Sequence, residues 1–115
     1  MSKYDPFVLD RLPPKDQRPE FLPLDYPERL NAAAELLKGG QPEALAVTNA
    51  HGRWTYDELD SFSGRIARLL VDEQGLIPGN RVLLRGPNGY MLFAAWLGVL
   101  KAGGVAVTTM PLLRP

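Results

Sequence analysis

The 115-residue chain has no cysteine. That excludes a disulfide scaffold and any zinc site built on thiolates, and it suits a reducing, cytoplasmic setting. Histidine is nearly as scarce. His51 stands alone, with no second imidazole and no thiol to complete a metal site or a Cys–His pair. Long apolar runs are missing too. Gly89–Leu100 is the strongest candidate and falls well short of the about 20 residues that span a bilayer. The amino terminus, MSKYDPFVLD, carries charges where an export signal needs an apolar core. Net charge is absent: 13 basic and 13 acidic residues cancel, which argues against nucleic acid or an anionic membrane as a partner.

What is present is ordinary globular composition, 45% hydrophobic and 23% charged, so most of the chain is expected to fold, as one domain or part of one. The charges are unevenly spread. Residues 76–115 carry Arg81, Arg85, Lys101 and Arg114 and no acid, whereas residues 41–75 carry six acids and three bases. A buried strand–helix–strand unit with cations at its element ends accounts for the first of these.

Residues 1–27 are expected to be irregular, because Pro6, Pro13, Pro14, Pro19, Pro23 and Pro27 interrupt helix and central strand alike. Phe7, Val8, Leu9, Phe21, Leu22, Leu24 and Tyr26 are too apolar for a free tail, so an extended arm anchored on a larger body is predicted. Asp25-Tyr26-Pro27-Glu28 reads as a capping box opening a helix with Leu30, Ala33, Ala34 and Leu37 on one face, closed by Gly39-Gly40. A hairpin follows, with strands at Ala44–Thr48 and Arg53–Thr55 around the turn Asn49-Ala50-His51-Gly52. Thr55-Tyr56-Asp57-Glu58 is a second capping box. Its helix turns Leu59, Phe62, Ile66, Leu69 and Leu70 inward, leaves Asp60, Arg65, Arg68 and Asp72 to solvent, and stops at Gly75.

Arg81–Arg85 is a short apolar strand fenced by Pro78-Gly79 and Gly86-Pro87-Asn88-Gly89. Tyr90–Lys101 is a helix, closed by a cation at its negative end and by Gly103-Gly104, and Val105–Thr109 is a second strand. Strand, helix and strand with short loops make a right-handed βαβ unit with parallel strands. The class is therefore α/β: a β-hairpin plus βαβ. Met91, Leu92, Phe93, Trp96, Leu97, Val99 and Leu100 surround the last helix, so cover on every side is expected for it.

No self-contained catalytic constellation emerges. His51 lies in a turn, Asp57 and Glu58 are explained by the helix start, and Ser61 and Ser63 lack a glycine-flanked elbow. Gly86-Pro87-Asn88-Gly89 sits where a phosphate loop would lie. It lacks both the G-x-G-x-x-G spacing and the Gly-Lys-Ser/Thr ending, and its proline removes an amide donor. Neither catalytic residues nor metal ligands are expected within these residues.

Three segments in order carry a resemblance: Gly52-Arg53-Trp54-Thr55-Tyr56-Asp57-Glu58-Leu59, then Gly79-Asn80-Arg81-Val82-Leu83-Leu84, then Leu100-Lys101-Ala102-Gly103-Gly104-Val105. Together they resemble the opening of the AMP-forming acyl-CoA synthetase (adenylate-forming, AMP-binding) superfamily. Asp10-Arg11-Leu12-Pro13-Pro14, Tyr26-Pro27-Glu28-Arg29-Leu30-Asn31, Arg85-Gly86-Pro87-Asn88 and Ala106–Arg114 are similar to its aromatic branch, benzoate-CoA and especially 2-aminobenzoate-CoA ligases. The resemblance implies an arm over residues 1–27 and the start of the AMP-binding domain over 28–115. It implies ATP, Mg2+ and coenzyme A as cofactors, and an aromatic carboxylic acid that becomes an acyl-AMP and then an acyl-CoA.

The family's Ser/Thr/Gly-rich phosphate loop, its Tyr-Gly-x-Thr-Glu segment, its ribose-binding aspartate, its hinge and its catalytic lysine do not occur here. The chain also stops at Arg114-Pro115, where family members continue. Activity and cofactor binding by these residues alone are therefore not expected; the rest of a catalytic domain is the needed partner. Gly89 departs from the family, which usually has Ser, Thr or Pro there. Thr109, Met110 and Pro111 match the turn that approaches coenzyme A in acetyl-CoA synthetases, so the resemblance gives them a place in a coenzyme A channel. The competing reading is a stand-alone, non-catalytic binding module derived from such a ligase. A complete nucleotide-binding domain is the least supported, for want of a phosphate loop.

Overall fold

The computed structural model describes residue 7 and residues 10–20 and 25–112. The proposed arm anchors Val8, Leu9, Phe21, Leu22 and Leu24, and the terminal Arg114, lie outside the described residues. After a short 3-10 turn at Lys15–Gln17, the elements are α1 (Ala32–Lys38), β1 (Leu45–Asn49), β2 (Gly52–Thr55), α2 (Tyr56–Arg68), β3 (Arg81–Arg85), α3 (Tyr90–Lys101) and β4 (Val105–Thr109).

The first helix departs from its sequence reading. Asp25 and Glu28 do not cap it; residues 25–30 are irregular, and Asn31 is the N-cap, its side chain accepting from the Ala34 amide. Tertiary structure explains the choice. The Asn31 amide group also donates to the carbonyls of Lys101 (3.2 Å) and Leu100 (3.5 Å), so one side chain serves the start of α1 and the end of α3. An aspartate could accept at the first site but could not donate at the second.

The hairpin forms as expected, one residue displaced. β1 and β2 run antiparallel, with a bulge between Leu45 and Val47 and a turn braced by the His51 amide donating to Asn49 Oδ1 at 2.8 Å. The capping box at Thr55 is complete: Thr55 Oγ1 accepts from the Glu58 amide and Glu58 Oε2 accepts from the Thr55 amide. The helix that it opens is α-helical to Arg68, then widens into a π-turn at Leu69–Glu73 before Gly75 takes φ 64°. The widening was not legible in the sequence, and it leaves Leu69 exposed.

β3 and β4 pair in parallel, Arg81 with Val105 through Arg85 with Thr109, with α3 as the crossover. The end of α3 has both bonds of a Schellman stop: the Gly104 amide donates to the Val99 carbonyl and the Gly103 amide to the Leu100 carbonyl, with Gly103 at φ 77°. Gly79 (φ 91°) donates to the Gly103 carbonyl, and Val105 donates to the Asn80 carbonyl. The starts of the two strands are thereby tied to the end of the helix.

The core sits where α1, α2 and α3 meet. Ala33, Leu59, Ala94 and Leu97 are buried, and Leu37, Phe62, Ile66, Trp96 and Leu100 pack around them. Lys101 reaches from α3 to α2, where its ammonium donates to the carbonyl of Asp60 at 2.8 Å and pairs with the Asp60 carboxylate. Asp60 is therefore engaged rather than merely solvated. The expected cover around α3 is incomplete: Ala94, Leu97, Gly98 and Val99 are buried, while Met91 and Phe93 are exposed. Among the described residues no helix is long and apolar enough to cross a membrane.

Candidate functional site

The carboxyl ends of β3 and β4 lie level, so the turn at residues 86–89 and the turn after Thr109 open at the same edge of the sheet. Ligands of open α/β sheets gather at such edges. Two clefts border the first turn. One, of about 540 Å³, is floored by Val47, Leu92, Phe93 and Trp96, with Thr48, Asn49, Asn88 and Thr108 as its polar members. The other, of about 580 Å³, runs past His51, Arg85, Pro87, Asn88 and Met91. Phe93 and Trp96 stack at 5.9 Å with 12° between their planes, one helical turn apart. The hairpin supplies the opposite wall. Asn49 Nδ2 lies so near Gly89 that a Cβ there would meet it at 3.2 Å.

Thr109, Met110 and Pro111 touch neither cleft. Thr109 is the half-buried last residue of β4, Met110 is exposed, and the Pro111 carbonyl accepts from Arg85 Nη2 at 3.1 Å. The β4 residue that reaches a cleft is Thr108, at the one of about 540 Å³. His51 stands in its turn near Asn88 and Gly89, without another imidazole or thiol. Sequence reasoning did not single out Thr48, Asn49, Phe93, Trp96 and Thr108. For Phe93 and Trp96, the three-residue spacing on one helix face was the available signal.

These residues do not form a cradle for ATP. Gly89 is extended (φ 179°) and Pro87 has no amide hydrogen. No lysine lines either cleft, and among the described residues no three acidic or metal-ligating side chains gather. The clefts are apolar recesses with a few uncharged donors and acceptors, and among the described residues Arg85 is the only arginine or lysine that lines them.

Residues 36–115 match the profile of the family described as AMP-binding enzyme. The salicyl-AMP ligase / salicyl-S-ArCP synthetase of Mycobacterium tuberculosis is 40% identical over 75 residues, which cover 61% of this chain and 13% of that protein. Syringomycin synthase SyrB1 of Pseudomonas syringae pv. syringae is 36% identical over 97 residues, 73% of this chain and 16% of the relative. The crystal structure of VinN superposes with a TM-score of 0.69 at 28% identity, covering 81% of this chain and 25% of that one. The chain thus spans less than a fifth of either sequence relative and a quarter of the structural one. Its hairpin, capped helix and βαβ unit are those of the amino-terminal part of the adenylate-forming domain, and the chain belongs to the AMP-binding enzyme family.

Proposed function

We propose that these residues serve as the amino-terminal segment of a ligase that activates an aromatic carboxylic acid, of the 2-aminobenzoate or benzoate kind, with ATP and Mg2+. In the reaction proposed, a carboxylate oxygen attacks the α-phosphorus of ATP and pyrophosphate leaves. A thiol sulfur then attacks the acyl carbon, and AMP departs with the electrons of the broken C–O bond. Coenzyme A is the thiol of this reading, with Thr109, Met110 and Pro111 on the wall of its channel. The family match over residues 36–115 is the observation that carries the proposal. A relative named for a salicyl adenylate supports an aryl acid.

That same name favours one variation. A salicyl-S-ArCP synthetase delivers its acyl group to a protein-borne thiol, so a carrier thiol is the second reading for the acceptor.

The segment's own part is architectural: α3 and the β3–β4 pair present two turns at one sheet edge, and neither turn can orient a triphosphate. In-line displacement needs amide donors and a cation held together, and they are not assembled here. The test is acid-dependent exchange of pyrophosphate into ATP. A protein carrying this segment should exchange with 2-aminobenzoate, benzoate or salicylate, and the purified 115 residues should not. Exchange by the 115 residues alone would overturn the assignment of a segment role, and exchange only with aliphatic or amino acids would overturn the aromatic one. Coenzyme A and a carrier-protein thiol, offered separately to the exchanging protein, decide the acceptor.

A further inference from the structure

Asn88 is the one asparagine of the chain that precedes a glycine. The pair lies in the turn between β3 and α3, outside helix and strand, and Asn88 is exposed. Gly89 is extended (φ 179°, ψ 175°) and has no Cβ, so no side chain of its own screens its amide nitrogen from Asn88 Cγ. Among the described residues, no hydrogen bond engages the Asn88 side chain or the Gly89 amide. The other three asparagines are held. Asn31 accepts from the Ala34 amide and donates to the end of α3. Asn49 Oδ1 accepts from the His51 amide at 2.8 Å, and Asn80 Oδ1 from the Ile77 amide at 3.2 Å. Each of these precedes a residue that does carry a side chain: Ala32, Ala50 and Arg81.

We propose that Asn88-Gly89 is a site of spontaneous deamidation, a covalent change at the edge where both clefts open. The Gly89 nitrogen loses its proton to hydroxide and attacks Asn88 Cγ. Nδ2 takes a proton from water and leaves as ammonia, and a succinimide ring closes. Water then opens the ring. Breaking the bond from nitrogen to Cγ leaves aspartate; breaking the bond from nitrogen to the main-chain carbonyl carbon leaves isoaspartate. Nothing is oxidised or reduced. Either product puts a side-chain carboxylate among residues 76–115, which have none, and on a wall shared by both clefts. The aspartate form places it at the amino end of α3, where the helix dipole favours an anion. The isoaspartate form adds a methylene to the main chain next to Gly89, which already lies close against Asn49, and so presses the turn on the hairpin.

Mass mapping of the full 115-residue chain, aged in mildly alkaline buffer and then digested with trypsin, reads the reaction. Asn31, Asn49, Asn80 and Asn88 fall in four different tryptic peptides, so three of them are internal controls. The expected result is an amide-to-acid mass gain confined to the peptide bearing Asn88, with ammonia released in step and a rate proportional to hydroxide. An exposed loop opens at almost no cost in free energy, so the native chain, its fold checked by far-UV circular dichroism, should react within about 10-fold of the guanidinium-unfolded chain. Stronger protection than that overturns the proposal, as does earlier reaction at Asn31, Asn49 or Asn80. Gly89→Ala should slow the gain roughly 10-fold by screening the attacking nitrogen, and Asn88→Ser should abolish it. A wild-type rate in Gly89→Ala overturns the ring-closing route. Both substitutions give the same readout in the unfolded chain, so that arm of the test stands whether or not the variants fold.

Discussion

Gly98 of α3 lies directly against Ile66 of α2: a Cβ built on Gly98 would sit 2.7 Å from Ile66 Cγ2 and 3.0 Å from the Ser63 carbonyl. Ser63 is fully buried beside it, and its hydroxyl donates back to the carbonyls of Leu59 and Asp60. The crossing of α2 and α3 is close because these two small residues meet there.

Gly98→Ala should therefore destabilise the chain. Alanine favours helix by about 1 kcal/mol over glycine, but overpacking a tight contact costs about 1–3 kcal/mol. A net loss of up to about 2 kcal/mol is expected, read as a lower urea midpoint. Gly64→Ala is the control, since its nearest neighbour is the flexible Lys101 ammonium at 3.9 Å. That substitution should be neutral or stabilising by up to about 1 kcal/mol.

Asn31 gives a sharper test. At most helix starts aspartate caps as well as asparagine. Here a carboxylate would face the Leu100 and Lys101 carbonyls at the negative end of α3. Asn31→Asp should thus cost at least as much as Asn31→Ala, about 1–2 kcal/mol in equilibrium denaturation. A wild-type stability for the aspartate variant would show that the link to α3 contributes nothing.

The reciprocal cap at α2 makes a local prediction. Thr55→Ala removes the hydroxyl that accepts from the Glu58 amide and should cost about 1 kcal/mol, whereas Thr55→Ser should cost only a fraction of that. Thermal melts followed by helical circular dichroism measure both.

Exposed apolar surface makes the last prediction. Leu83 is 64% exposed, Met110 64% and Leu112 85%, and Met91 and Phe93 extend the surface over α3. Each large side chain left uncovered forfeits roughly 1.5–3 kcal/mol, a sizeable part of a small domain's stability. The isolated chain should bind a hydrophobic dye in native buffer and elute earlier from a sizing column as its concentration rises. A dye-silent monomer with a sharp melt would instead favour a stand-alone module.

Legibility in the sequence followed the range of the interactions. β3, α3 and β4 were readable to the residue because local signals fence them: Pro78-Gly79, the turn at 86–89 and the glycine pair after Lys101. The capping box at Thr55 is local in the same way. Asn31 was passed over for Asp25 because its deciding bonds go to carbonyls 69 and 70 residues away. The π-turn after Arg68 breaks no hydrophobic period and so left no trace. The clefts were illegible for a related reason, since Thr48, Asn49, Phe93, Trp96 and Thr108 come from three elements that only the fold assembles.

Among the described residues, the backbone ties Gly79 to Gly103 and Asn80 to Val105 join the strands at the end opposite the two turns. The βαβ unit is bound like a book along that spine. At the fore-edge, beyond the strand pairing itself, Arg85 reaching Pro111 is a side-chain link, which can let go without breaking backbone structure. Main-chain bonds thus fix the end of the unit opposite the two turns and hold β3 and β4 in register from there.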